Sequence, residues 1–299
     1  MNEGFLETIR HRVLLADGAM GTQLMDAGLS RGACGELWNL DRPDKVFAIQ
    51  RRYVEAGSDC LITNTFGGCR LSLERHGLAD KTGEINAAAV AIAREAFGEK
   101  EGFVLGDIGP FGGMMEPYGE VPEDDVREAL DEQAFALVEA GADAVIVETQ
   151  CSFEELGLAI EAARKAGASC VIASLAFDVT VDGAGFRTMM GIDPAQAAGF
   201  AVERGAHVVG LNCGTGMDMA YARQVVQIYH GACELPVMAQ PNAGAPVIEN
   251  DTTVFNQTPE EMAADLPALL DAGVNVVGGC CGTSPDHIRA FRAVVDAHR

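Results

Sequence analysis

Three cysteines carry the most chemistry. Cys280 and Cys281 stand side by side in Val276-Val-Gly-Gly-Cys-Cys-Gly-Thr-Ser-Pro285, and Cys213 stands in Leu211-Asn-Cys-Gly-Thr-Gly216. Adjacent side chains of an extended chain face opposite ways, but Gly278, Gly279 and Gly282 permit a turn that aims both sulfurs at one point. Three protein ligands with an open fourth position make a catalytic zinc site, and soft thiolates select Zn²⁺ over Mg²⁺ or Ca²⁺. Two plainer readings stay open on residue chemistry alone. Free cysteine is a common core residue, and Cys280 with Cys281 could form a vicinal disulfide, which a reducing compartment disfavours. Of the other six cysteines, Cys60 and Cys170 lie in apolar runs and read as core. Cys34, Cys69, Cys151 and Cys233 have no partner at ligand-like spacing.

A second group could bind an α-amino acid. Asp17 begins Asp17-Gly-Ala-Met-Gly-Thr22, and small residues after a carboxylate expose backbone N–H groups that can hold a substrate carboxylate. Asp17 and Glu148 could then hold an ammonium group by charge-assisted hydrogen bonds. The competing reading makes Asp17 a turn residue and pairs Glu148 with an internal base. Asn64, Asp107, Asn212 and Asn242 also follow apolar runs; Asn242, in Gln240-Pro-Asn-Ala-Gly244, is by type a loop asparagine. The chain has no Gly-x-x-x-x-Gly-Lys, no Gly-x-Gly-x-x-Gly and no His-Glu-x-x-His, and its six histidines form no cluster.

The elements that must position these residues are marked by glycines. Gly57, Gly98, Gly141, Gly167, Gly205, Gly231 and Gly273 each end a helix-like segment. A short apolar run follows each, and with Val13–Ala16 there are eight: Cys60–Ile62, Phe103–Leu105, Ala144–Val147, Cys170–Leu175, His207–Leu211, Leu235–Ala239 and Val274–Val277. Runs without alternation read as parallel strands buried on both faces. Thr258-Pro259 with Glu261, Asp193-Pro194 with Gln196, and Ser284-Pro285 mark helix starts. Helix-to-strand connections are tight, while the strand-to-helix segments Gly109–Asp125, Phe177–Asp193 and Gln240–Pro259 are long. Eight such units predict a (β/α)8 TIM barrel, one domain over residues 1–299, with its chemistry at the C-terminal ends of the strands. A doubly wound sheet is the competing architecture.

Composition narrows the partners. The 299 residues are 48 % hydrophobic and carry a net charge of −23, which disfavours nucleic acid and anionic membranes. No apolar stretch approaches a bilayer span. The amino terminus carries Glu3 and Glu7 instead of a signal-peptide core. The expectation is a soluble, cytoplasmic protein.

Taken in order, Asp17-Gly-Ala-Met-Gly-Thr22, Trp38-Asn-Leu-Asp-Arg-Pro-Asp44, Thr63-Asn-Thr-Phe66, Gly109-Pro110, Glu148-Thr149, Leu211-Asn-Cys-Gly214, Pro241-Asn-Ala-Gly244 and Gly278-Gly-Cys-Cys-Gly-Thr-Ser-Pro285 span nearly the whole chain. They resemble the homocysteine S-methyltransferase family, and within it the homocysteine-binding barrel of the cobalamin-dependent methionine synthases. The paired cysteines are the most specific match. The resemblance implies a zinc ion on Cys213, Cys280 and Cys281, with Asp17, Gly18, Ala19 and Glu148 holding the amino acid portion of homocysteine. It also makes Asn242 a candidate to bind at the site, as an oxygen ligand closing the metal before substrate arrives. The implied reaction is methylation of homocysteine to methionine.

For the donor, 299 residues leave no room for folate- and cobalamin-binding regions, and no Asp-x-His-x-x-Gly signature is present. A methylcorrinoid such as methylcobalamin on a partner protein is therefore expected, docking near the acidic stretch Glu116–Asp125. Betaine or S-methylmethionine is the alternative donor. Betaine calls for an aromatic enclosure, which one Trp and four Tyr supply poorly; Thr149 also stands where betaine users resemble Glu-Tyr. Another thiol acceptor and a non-catalytic thiol sensor are the remaining alternatives.

Overall fold

The computed structural model describes residues 4–249 and 252–298; Glu3 lies outside them. Every apolar run predicted above forms a strand: β1 Leu14–Leu15, β2 Cys60–Ile62, β3 Phe103–Ile108, β4 Ala144–Gln150, β5 Val171–Leu175, β6 Val208–Asn212, β7 Val237–Gln240 and β8 Val276–Val277. They pair in parallel from β2 round to β8, and β8 pairs with β1. Asp59 links the last gap. Its N–H donates to the Leu15 carbonyl at 2.6 Å, and its carboxylate accepts the Leu15 N–H at 2.9 Å.

A long helix follows each strand: α1 Pro43–Ala56, α2 Thr82–Phe97, α3 Glu123–Glu139, α4 Phe153–Lys165, α5 Pro194–Arg204, α6 Met219–Ala232, α7 Pro259–Asp271 and α8 Pro285–Ala297. The architecture is a (β/α)8 barrel, not a doubly wound sheet. Capping boxes form at Thr258/Glu261, Asp193/Gln196 and Ser284/His287. One predicted helix stop is corrected: Gly231 lies within α6, which ends at Ala232 with an extended Cys233 beyond it. The other six glycine stops adopt positive φ.

Alternation sorts each strand between two cores. Leu14, Ala16, Cys60, Leu105, Ala144, Ile146, Cys170, Ile172, Val208, Met238 and Val276 pack together inside the barrel, with Phe5 and Ile9 of an N-terminal helix, Phe5–His11, joining them. Their strand neighbours, such as Leu15, Leu61, Val145 and Val209, join the larger core against the helices. Cys60 and Cys170 are thus core residues, as expected. Because the inward set is apolar low in the barrel, its next members, Asp107 on β3 and Glu148 on β4, are the first polar groups reached toward the mouth.

The long loops are partly ordered by elements the sequence reading treats as loop. Two hairpins, Asp178–Val179 with Phe186–Arg187 and Pro246–Glu249 with Thr252–Phe255, stand at the mouth. Short helices Gly21–Asp26, Trp38–Asp41 and Arg70–Glu74 lie in the first two strand-to-helix connections.

Glu155 in the first turn of α4 anchors the β3 loop, accepting the Phe111 N–H at 2.7 Å. Burial pushes its carboxyl from 4.5 up to about 7. The folded chain therefore keeps a proton that the unfolded chain releases between those values. Its contribution to stability is full below pH 4.5 and declines as pH rises to 7, by up to about 3 kcal/mol. Glu155→Gln keeps an acceptor for Phe111 without the titration. Thermal melts from pH 4.5 to 8 should show the variant gaining on the wild type as pH rises; parallel curves would contradict this assignment.

Candidate active site

The strand ends converge on a cavity of about 590 Å³ lined by Asp17, Asp107, Glu148, Cys213, Cys280 and Cys281 among others. Cys213 Sγ lies 3.9 Å from Cys281 Sγ, and Cys280 Sγ lies 3.9 Å from Cys281 Sγ. All three sulfurs fall within 4.8 Å of one another. Three sulfurs each about 2.3 Å from one tetrahedral centre lie about 3.8 Å apart, so the donor set fits zinc in type and spacing. The vicinal disulfide is overturned, because a bonded pair lies near 2.05 Å and all nine cysteines are free. Sulfurs this close divide their protons unevenly. S–H donation from Cys280 and Cys281 brings Cys213 down to about 3, while Cys281 rises to about 12 and Cys280 is also raised.

The backbone is bent to make this arrangement. Among the described residues only Thr149 (φ 58°) and Cys213 (φ 55°) are non-glycine residues at positive φ, and both flank the site. Such conformations cost free energy and persist only where neighbours enforce them. At Thr149 the β4–β5 register shifts between Val147 and Gln150, a bulge of the kind that re-aims a side chain. Gly214, after Cys213, has φ 83°, and a Cβ there would lie 1.9 Å from the Phe177 carbonyl oxygen. Only glycine fits.

Three polar side chains fix the bends. Asn212 donates through Nδ2 to Glu148 Oε2 (3.2 Å) and Thr149 Oγ1 (2.6 Å). Its Oδ1 accepts from the Thr149 N–H (3.0 Å) and the Ser174 hydroxyl (2.7 Å). Asn242, expected to face the ligand, is 2 % exposed and spends its amide on the protein. Its Oδ1 accepts the Cys281 N–H (3.1 Å), and its Nδ2 donates to the Gly214 carbonyl (2.9 Å). It therefore ties the two cysteine loops together. Thr283 Oγ1 accepts the Ala19 N–H (3.0 Å) and donates to the Cys280 carbonyl (2.7 Å), joining the Asp17 turn to the cysteine pair. Gly18 passes so near that a Cβ would lie 2.6 Å from Thr283 Oγ1.

The carboxyls sit beside the thiols. Asp17 Oδ2 accepts the Ile62 N–H at 3.0 Å, while its Oδ1 is buried without a donor. Burial, then the neighbouring Glu148, raises Asp17 well above the ordinary carboxylate range. Burial, then the charge of Glu148 and a hydrogen bond shared with it, raises Asp107 as well, while burial lifts Glu148 to about 6. No Lys, Arg or His lines the cavity among the described residues, so Glu148 has no internal base there. The sequence places Asp107 and Asn212 at strand ends without a role; the signal for both is the inward alternation, which carries Asp107, Glu148 and Asn212 toward the mouth beyond the apolar inward set.

A sequence model of the family described as Homocysteine S-methyltransferase matches residues 14–295. Methionine synthase of Mycobacterium leprae (strain TN) is 39 % identical over 305 residues, and that of Mycobacterium tuberculosis (strain ATCC 25618 / H37Rv) is 37 % identical. Each match covers 97 % of this chain but 25 % of the relative, so the chain spans about a quarter of their length. Crystal structures of the homocysteine methyltransferase MmuM from Escherichia coli share the fold at 22 % identity. The metallated form has a TM-score of 0.76 and covers 95 % of this chain and 96 % of that one; the oxidised form has 0.77, covering 98 % and 99 %. By the family match along almost its whole length, the chain belongs to the homocysteine S-methyltransferase family.

Proposed function

We propose that this chain methylates homocysteine to methionine with a zinc ion on Cys213, Cys280 and Cys281, taking the methyl group from a methylcorrinoid on a partner protein. The observation that carries the reading is three thiols within 4.8 Å of one another, in the same cavity as buried carboxyls that meet no basic residue among the described lining. Zinc held there would convert a substrate thiol, with a pKa of about 8.5 when free, into its thiolate.

The chain's own residues then supply position. Asp17 and Glu148 receive the substrate ammonium, and the Gly18-Ala19 turn lies where the substrate carboxylate falls. This grip directs the thiol toward the cysteines. Asn242 and Asn212 hold the cysteine and carboxylate loops in register. The apolar barrel interior beneath excludes water. The sulfur forms its new bond to carbon as the methyl–donor bond breaks, and that electron pair leaves with the donor.

Support for a macromolecular donor comes from the rim. Eight of the ten large exposed apolar side chains among the described residues lie on the strand-to-helix loops, including Phe66, Met114, Tyr118, Met189 and Val247. Apolar groups gathered at one face mark an interaction surface, and Glu116–Asp125 lies beside Met114 and Tyr118. Trp38 packs against the core, and the described cavity lining has only two aromatic rings, Phe66 and Phe255, which disfavours a betaine enclosure. Placement in the cytoplasm belongs to the same reading and rests on the nine free cysteines. No helix among the described residues is long and apolar enough to cross a membrane.

A donor panel tests the reading. With zinc and homocysteine, methionine should form from methylcobalamin and not from betaine or S-methylmethionine. Turnover with betaine or S-methylmethionine alone would overturn the donor assignment, and no turnover with any donor would overturn the activity.

A further inference from the structure

Three carboxyl side chains, not two, meet in the cavity. Asp107 lines it beside Asp17 and Glu148, and Asp17 and Asp107 are each 2 % exposed. Each has a buried Oδ1 that receives no N–H or hydroxyl donor from the described residues. Buried acceptors left without donors are costly, and these two carboxyl oxygens, with Gln240 Oε1 left in the same condition in a cavity that has no Lys, Arg or His among its described lining, point to a donor that arrives with the ligand. The Asp107 backbone is clamped at both ends. Its N–H donates to Thr63 Oγ1 (2.9 Å), and its carbonyl accepts from Thr65 Oγ1 (2.7 Å) and Gln133 Nε2 (3.1 Å). The side chain is thus held at the mouth by a built frame.

Another carboxylate on the same cavity, Glu36, is already satisfied. Its Oε1 accepts the Gly67 N–H (2.8 Å) and its Oε2 accepts the Cys34 thiol (3.3 Å). That contrast singles out Asp17, Asp107 and Glu148. A primary ammonium has three N–H donors, and each can meet one carboxyl of this set.

We infer that Asp107 is the third acceptor of an ammonium cup, and that it makes the site selective for thiols carrying an unsubstituted primary amine. The inference rests on the proposed homocysteine site and adds a specificity-determining residue to it. A thiol without the amine leaves the cup unsatisfied, and an N-methylated amine has too few N–H groups to fill it.

Equilibrium binding of L-homocysteine and of its deaminated analogue, 4-sulfanylbutanoic acid, to the zinc-loaded protein provides the test. Wild type should prefer homocysteine. Asp107→Asn should weaken homocysteine by roughly 10- to 100-fold while leaving the analogue's affinity and the zinc content unchanged. Because this substitution leaves the clamped backbone untouched, folding should persist, and a thermal melt checks it; Asp107→Ser repeats the test without a side-chain amide. An unchanged preference in both variants, or equal loss for both thiols, overturns the role of Asp107 while leaving the homocysteine site intact. Failure of the wild type to bind homocysteine overturns the proposed function, and this inference with it.

Discussion

Replacing Cys281 with alanine should remove bound zinc and turnover together. Two sulfurs would remain, and the drop in metal affinity should exceed the roughly 10- to 100-fold typical of losing an outer partner, reaching on the order of 10³-fold or more. The barrel itself should survive. The Cys281 side chain is only partly buried, and its N–H keeps Asn242 as acceptor in the variant. Metal content after dialysis, methionine formation and circular dichroism read the three consequences separately. A variant that loses zinc but retains turnover would remove the metal from the account. A variant that retains zinc at wild-type affinity would remove Cys281 from the donor set. The same experiment bears on a sensor role, since a sensor needs the metal without needing turnover.

The second large effect belongs to Glu148. Glu148→Gln preserves shape, and the glutamine oxygen can still accept from Asn212 Nδ2, which lies 3.2 Å from Oε2. What is lost is the negative charge facing the substrate ammonium. A buried charge-assisted hydrogen bond contributes about 1.5–3 kcal/mol, so KM for homocysteine should rise on the order of 10- to 100-fold. The zinc content should not change, because Glu148 is no part of the sulfur set. Initial-rate kinetics over homocysteine concentration separate KM from kcat. A kcat loss at constant KM would mean that Glu148 acts in the transition state and not in binding.

The sequence was most informative where one physical rule acts locally. The strand runs are legible because each is apolar on both faces, and the glycine stops because six of seven adopt a backbone that other residues avoid. Gly231 misled because a glycine is tolerated near a helix end without terminating it, and α6 runs one residue further. The mouth hairpins were not legible, since their pairing depends on loops packing over the barrel and not on alternation. Cys213, Cys280 and Cys281 were readable from their glycine setting and their places after β6 and β8. The work done by Asn242 was hidden, because its partners, Cys281 and Gly214, are 39 and 28 positions away. The meaning of Asp107 lies in its buried Oδ1, which has no N–H or hydroxyl donor among the described residues and belongs to the same cavity as that of Asp17.

The central claim is a three-sulfur metal site with room for a substrate thiol. X-ray absorption at the zinc edge, recorded before and after adding homocysteine, tests it most directly. The account predicts three sulfur scatterers at about 2.3 Å from the protein alone, rising to four when homocysteine is present. Four protein sulfurs without substrate, or three that stay three at saturating homocysteine, would contradict it.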